Sequence, residues 1–229
     1  MTGTVVLCGS LGSTSAMWEP QLRALEGRRV VNAEHPGHGR APRTDARTVE
    51  DLAVRVLSDV GPGSFSFVGL SLGGSVGIRL ALDAPERVEK LVLACTATRF
   101  GEPETWLERA ATVREYGLES IVDAVLSRWF TPGLRDTGAY REMFLSVDPE
   151  GYASCCEALA AWDVRDDVSR ITAPTLVISA AADPSTPPAT GEELAAAISG
   201  SRFEIIPDAA HLANVERPHA FNRLLEEHL

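Results

Sequence analysis

"SFSFVGLSLGGSVGIRLALDAPERVEKLVLA", residues 64–94, runs from an apolar, β-branched stretch into a helical pattern and back into an apolar stretch. A single serine, Ser71, stands at the first junction, with Gly69 two residues before it and Gly73 two residues after. A serine in that place can cap a helix, shape a turn or act as a nucleophile. The spacing has a steric cause that favours the last of these. Where a strand turns sharply into a helix, only very small residues at minus two and plus two let the two elements pass. The central residue is then held in a strained backbone conformation that lifts its side chain clear of the sheet. Five-residue glycine patterns also arise by chance, so the surroundings have to decide.

Outward from this stretch, short apolar runs alternate with helical patterns. Residues 3–9, 28–33, 64–69, 89–95, 173–180 and 201–207 read as strands, several of them apolar without alternation, as in a parallel sheet covered on both faces. Between them, Val49, Leu52, Ala53, Val56, Leu57 and Val60 follow helical spacing, and Thr48 with Asp51 forms a capping box for a helix over 49–60. A last helix is expected from Pro218 onward, since proline suits a first turn. The alternation stops between residues 97 and 167, which read as four helices near 103–116, 118–130, 137–147 and 150–162. The fold class expected is therefore α/β: a mostly parallel, doubly wound sheet with helices on both faces, its core formed by 1–96 and 168–229 and interrupted by a helical insertion over 97–167.

A serine nucleophile needs a base to take its proton and an acid to orient that base. In a sheet of this kind the three follow in the order Ser, Asp or Glu, His, each just after a strand. "PTLVISAAADPSTPP" puts Asp183 after an apolar strand, and "FEIIPDAAHLANVERP" puts His211 in the loop after the last one. Order, strand-end position and spacing agree, and Ser71, Asp183 and His211 are the expected catalytic triad. Asp208, three residues from His211, reads as a turn residue, and Asp163, Asp166 and Asp167 as solvated charges. The two backbone N–H groups of an oxyanion hole are expected from Leu72, directly after the nucleophile, and from Leu11 in the loop after the first strand. In "EHPGHGRA" (34–41), His38 is expected in a structural hydrogen bond within a tight glycine loop.

Bulk properties narrow the function. A net charge of −11 leaves no excess of Lys and Arg to neutralise phosphates, which argues against nucleic-acid and anionic-membrane partners. The four cysteines, Cys8, Cys95, Cys155 and Cys156, have no metal-like spacing with histidine; they read as buried packing residues of a cytoplasmic protein, with no metal site. No signal peptide is visible, and no segment approaches the roughly 18 apolar residues of a membrane span.

Taken together, the elbow around Ser71, the ordered Asp183 and His211, and the helical insertion resemble the α/β-hydrolase superfamily. Within it the chain is most similar to the 3-oxoadipate enol-lactonases, through "SLGSTSAMWEPQL", "RWFTPGL", "GYASCCEALAAWD" and "AAHLANVERPHAFN" besides the elbow. The resemblance implies that 97–167 is a lid over the active site and that the two N-terminal strands usual in the superfamily are missing. Glu34 stands where relatives commonly carry aspartate. It implies hydrolysis of a small anionic lactone through an acyl-enzyme, with no metal or organic cofactor, releasing 3-oxoadipate, in aromatic catabolism by the β-ketoadipate pathway. The substrate's carboxylate then needs a cation. The lid offers Arg99, Arg109, Arg114, Arg128, Arg135, Arg141 and Arg165; Arg128 and Trp129 in "RWFTP" are the expected substrate contacts, the alternative being a surface arginine beside a lid-core tryptophan. Trp106 and Trp162 read as packing residues. The alternatives are a carboxylesterase, another lactonase or a carbon–carbon bond hydrolase with the same triad, and a family member that binds ligand without turnover. The sequence assigns no oligomeric state.

Overall fold

The computed structural model describes residues 3–229; the first two residues of the expected core lie outside that range. The described residues form six strands: β1 (Thr4–Cys8), β2 (Arg29–Ala33), β3 (Phe65–Leu70), β4 (Val88–Ala94), β5 (Thr175–Ala180) and β6 (Arg202–Ile206). They build one sheet in the order β2-β1-β3-β4-β5-β6, and every neighbouring pair is parallel. β3 and β5 are buried along their whole length, which is why neither shows a polar–apolar alternation.

The helices are α1 (Glu19–Leu22), α2 (Val49–Val60), α3 (Leu72–Asp83), α4 (Pro103–Tyr116), α5 (Val122–Trp129), α6 (Gly138–Leu145), α7 (Pro149–Ala160), α8 (Pro188–Ala197), α9 (Ala213–Glu216) and α10 (Pro218–His228). α2 begins at the expected capping box. Thr48 Oγ1 accepts from the Asp51 amide, and Asp51 Oδ2 accepts from the Thr48 amide, each at 3.1 Å. Its buried stripe is Val49, Leu52, Ala53, Val56 and Val60, and Leu57 is half-buried at the margin. α4 to α7 all lie between β4 and β5 and make up the helical insertion. The helix expected over 118–130 is shorter than the pattern suggests: Gly117 ends α4 with φ 76°, a 3₁₀ turn follows at Leu118–Ser120, and helix resumes at Val122. Among the described residues no helix is long and apolar enough to cross a membrane.

The chain leaves β1 for β2 on one side and then returns to place β3 on the other. The crevice between the carboxyl ends of β1 and β3 is thus the point where strand order reverses, the place where open α/β sheets bind ligands. The loop after β1 and Ser71 after β3 both open into it.

Candidate active site

Ser71 has φ 58° and ψ −118°, a left-handed conformation that costs a non-glycine residue roughly 1–3 kcal/mol. The surroundings hold it there. Its amide donates to the Ala94 carbonyl at 2.9 Å, and its carbonyl accepts from Thr96 Oγ1 at 2.8 Å. The flanking glycines are needed for close approach. A Cβ on Gly69 would sit 2.2 Å from the Gly73 carbonyl oxygen, and one on Gly73 would sit 2.0 Å from that of Cys8. Ser71 is left 6% exposed, on the wall of a cavity of about 220 Å³.

His211 lines the same cavity, and its Nδ1 donates to Asp183 Oδ2 at 2.7 Å. That contact fixes the ring and leaves Nε2 as the nitrogen able to take a proton. Asp183 is held in turn: Oδ1 accepts from the amides of Ser185 (2.8 Å) and Thr186 (3.1 Å), and Oδ2 accepts from Thr186 Oγ1 (2.6 Å). Burial alone would push this carboxyl up. The charge and hydrogen bond of His211, with the two bonds from Thr186, outweigh it and hold the group below the ordinary aspartate value. The structure therefore brings Ser71 and His211 to one cavity wall with Asp183 behind the imidazole. Asp208 is a turn residue with φ 51°, as expected.

Cys95 is the member of this cluster that the sequence does not announce. It follows β4 with φ 45°, is buried, and its Sγ lies with Asp183 and His211 atoms in a group no more than 4.8 Å across. Burial first, then the Asp183 carboxylate, push its thiol far up, so it stays protonated beside the acid. Cys–Asp–His is a donor set that can hold a metal. Here the Asp183 oxygens already accept from His211, Thr186 and Ser185, with the Cys95 thiol close beside them.

The loop after β1 supplies the other wall. Ser10 and Leu11 line the cavity, whereas the Leu72 side chain is fully buried and only its backbone, at the first turn of α3, follows Ser71. The first-turn amides of a helix have no partner within it, so the Leu72 N–H is available to an oxyanion. The loop is pinned from several sides. The Gly73 amide donates to the Gly9 carbonyl at 3.0 Å, and His35 Nε2 donates to the same oxygen at 2.9 Å. The Gly12 amide donates to His38 Nε2 at 3.0 Å, while His38 Nδ1 donates to the Pro36 carbonyl at 3.0 Å. His38 is thus the structural histidine expected, in its Nδ1–H form. Burial, followed by the charge of His35, lowers it to about 3, and burial lowers His35 to about 4. Glu34 takes part as well: it accepts from the Ser15 amide at 2.9 Å and the Arg40 amide at 2.8 Å.

The lid contributes the rest of the cavity: Phe100, Trp106, Arg109, Arg128, Trp129 and Tyr152 among others. Trp129 is on this wall as expected, and Trp162 packs, donating to the Ala97 carbonyl at 3.0 Å. Trp106 differs from the expectation. It faces the cavity, and the guanidinium of Arg109 stacks 4.6 Å from its ring centre.

Of the lid arginines, Arg99 pairs with Glu102, Arg114 with Glu150 and Glu157, Arg141 with Asp123 and Arg165 with Asp163. Arg109 and Arg128 both line the cavity, and among the described residues neither has a carboxylate partner. Burial, followed by the charge of Arg109, lowers Arg128.

Comparison with known proteins agrees with this architecture. Residues 5–224 match the sequence profile of the alpha/beta hydrolase family. The 3-oxoadipate enol-lactonase 2 of Acinetobacter baylyi is 38% identical over 234 residues, covering 97% of this chain and 86% of that protein. RutD of a Caulobacter species, a candidate carbamate hydrolase, is 29% identical over 237 residues, covering 96% of this chain and 87% of its own length. Among solved structures, the enol-lactonase of Burkholderia xenovorans superposes with a TM-score of 0.93 at 38% identity, over 99% of this chain and 91% of that one.

Proposed function

The chain belongs to the alpha/beta hydrolase family, and on that premise we propose that it is a lactonase that opens the ring of 3-oxoadipate enol-lactone through an acyl-enzyme on Ser71. The observation that carries the reading is the pair Arg109 and Arg128, which among the described residues have no carboxylate partner and line the same cavity as Ser71 and His211. Two guanidinium groups sharing a partly dry space repel each other, and a substrate carboxylate between them relieves the repulsion. The names of the relatives supply the lactone; the arginines account for its carboxylate.

In this mechanism His211 Nε2 takes the Ser71 proton as Oγ attacks the lactone carbonyl. The tetrahedral oxyanion is met by the Leu11 and Leu72 amides, a contribution of about 2.7–4 kcal/mol per donor in comparable sites. Collapse breaks the ring C–O bond. The leaving enol takes the proton from His211 and tautomerises to the ketone, still tethered by its acyl carbon. Water, deprotonated by His211, then releases the dicarboxylate product and restores Ser71. Asp183 holds the imidazole tautomer through both halves.

Carbamate hydrolysis is the second reading, and the similarity to RutD is what favours it. A cavity of about 220 Å³ with walls of Phe100, Trp106, Trp129 and Tyr152 fits a larger, partly apolar substrate better. Steady-state hydrolysis of the enol-lactone, of carbamate and of neutral p-nitrophenyl esters tests the choice. The lactone should give kcat/KM of about 10⁴ M⁻¹s⁻¹ or more and exceed the neutral esters. Faster turnover of carbamate or of the neutral esters would displace the lactone as the substrate.

A further inference from the structure

Glu216, the last residue of α9, is 8% exposed, and among the described residues no cation pairs with its carboxylate. A buried carboxylate without a cation is costly unless its oxygens are satisfied by donors. Three donors reach it. Oε1 accepts from the Thr131 amide at 3.0 Å and from Thr131 Oγ1 at 2.6 Å; Oε2 accepts from the Ala210 amide at 2.6 Å. Thr131 belongs to the lid insertion, just past α5, and Ala210 is the residue directly before His211. The two backbone segments also meet without help: the His211 amide donates to the Arg128 carbonyl at 3.4 Å and the Leu212 amide to the Trp129 carbonyl at 3.0 Å. Glu216 closes this seam, with one oxygen on each side of it.

We infer that Glu216 is a positioning residue for the general base: it clamps the His211 loop to the lid segment 128–131, so that the imidazole and the lid residues on the cavity wall keep a common register. The inference rests on the hydrolase reading above. It has a definite chemical content. Arg128 and Trp129, which line the cavity, hold the backbone of His211 and Leu212 through their own carbonyls. A shift of the lid around a substrate therefore shifts the base as well, and Glu216 sets how closely the two move together. A displacement of about 1 Å at such a group can cost on the order of 10²-fold in rate.

The test compares wild type with Glu216→Ala, Glu216→Gln and Thr131→Val, measuring kcat, KM and Tm with p-nitrophenyl acetate and with the enol-lactone, and with Ser71→Ala as the blank. Glu216→Ala removes both halves of the clamp and should lower kcat by about 10–100-fold while KM moves by less than about 3-fold. Glu216→Gln keeps one acceptor oxygen and should recover part of the loss. Thr131→Val removes only the hydroxyl bond and should lower kcat by a few fold. A Glu216→Ala protein with lowered Tm and wild-type kcat would overturn the inference, because a purely structural role moves the first and not the second. If Glu216→Ala does not fold, the decision passes to the other two variants: wild-type kcat in both overturns it, and a graded loss supports it. If wild type turns over neither substrate, or Ser71→Ala equals it, the hydrolase reading falls and the positioning role with it. Active wild type with indifferent Glu216 variants removes the positioning role alone.

Discussion

Ser71 is fixed by the sheet, whereas His211 is fixed in part by the lid. The proposed nucleophile sits between β3 and α3, with its amide on the Ala94 carbonyl, its carbonyl on Thr96 and two glycines pressed against neighbouring backbone. None of those contacts involves residues 97–167. The proposed base, His211, sits on a loop whose amides reach the carbonyls of Arg128 and Trp129 and whose flank is joined through Glu216 to Thr131. The difference is one of stiffness. A strained turn held by backbone sterics has one position, and a loop hydrogen-bonded to a helical insertion follows that insertion. Under the proposed mechanism, attack geometry depends on the lid through His211 and scarcely through Ser71.

The sharpest way to break this comparison is at the reacting atoms. Ser71→Ala should lower turnover by about 10⁴-fold or more while leaving the fold intact, and Asp183→Asn by about 10³–10⁴-fold through the wrong His211 tautomer. Both are read by steady-state kinetics with a matched thermal melt. Near-wild-type rates in Ser71→Ala would remove the nucleophile assignment. Unchanged rates in Asp183→Asn would send the search for the orienting acid elsewhere in the His211 loop.

A smaller effect separates the lid from the sheet. Arg109→Ala and Arg128→Ala each remove a guanidinium from the cavity, and a hydrogen bond to a charged group is worth about 1.5–3 kcal/mol. Loss of kcat/KM on the anionic lactone should be about 10–100-fold for each variant, and at least tenfold larger than its loss on a neutral p-nitrophenyl ester. Equal losses on both substrates would show that the arginines hold the lid together and do not read a carboxylate.

How much of this was legible in the sequence follows the same division. All six strands, the capping box of α2 and the strand-end places of Ser71, Asp183 and His211 are local patterns, set by burial period and turn chemistry. The four lid helices are local as well, apart from the break at Leu118–Ser120. What the local pattern does not carry is which partner a charged side chain finds across the fold. Arg109 and Arg128 look like the other lid arginines until the pairs Arg114–Glu150 and Arg141–Asp123 are seen to form and theirs are not. Glu216 lies inside the quoted stretch "AAHLANVERPHAFN", but its partner Thr131 is 85 residues away. Cys95 reads as a small hydrophobe, and only the fold puts its thiol beside Asp183.

The mildest prediction tests how firmly the loop after β1 is locked. His35 and His38 are buried and neutral, lowered to about 4 and about 3 by burial, while an unfolded chain protonates both near pH 6.5. As pH falls below 6.5 the unfolded state binds protons that the folded state refuses, so stability must drop. The slope should approach about 1.4 kcal/mol per pH unit for each histidine and persist down to about pH 4. His228, half-buried beside Lys90, is lowered as well and adds in the same direction. Asp183 acts elsewhere: its carboxyl is already below the ordinary value of 3.8, so its contribution is lost only on further acidification. Urea midpoints between pH 7 and pH 4.5 measure the slope, and His38→Gln, whose amide oxygen can still accept the Gly12 N–H, should reduce it by one proton's share. A flat midpoint across that range would mean that the folded protein takes up those protons, and the loop carrying Leu11 would then be far less tightly held than the sheet that carries Ser71.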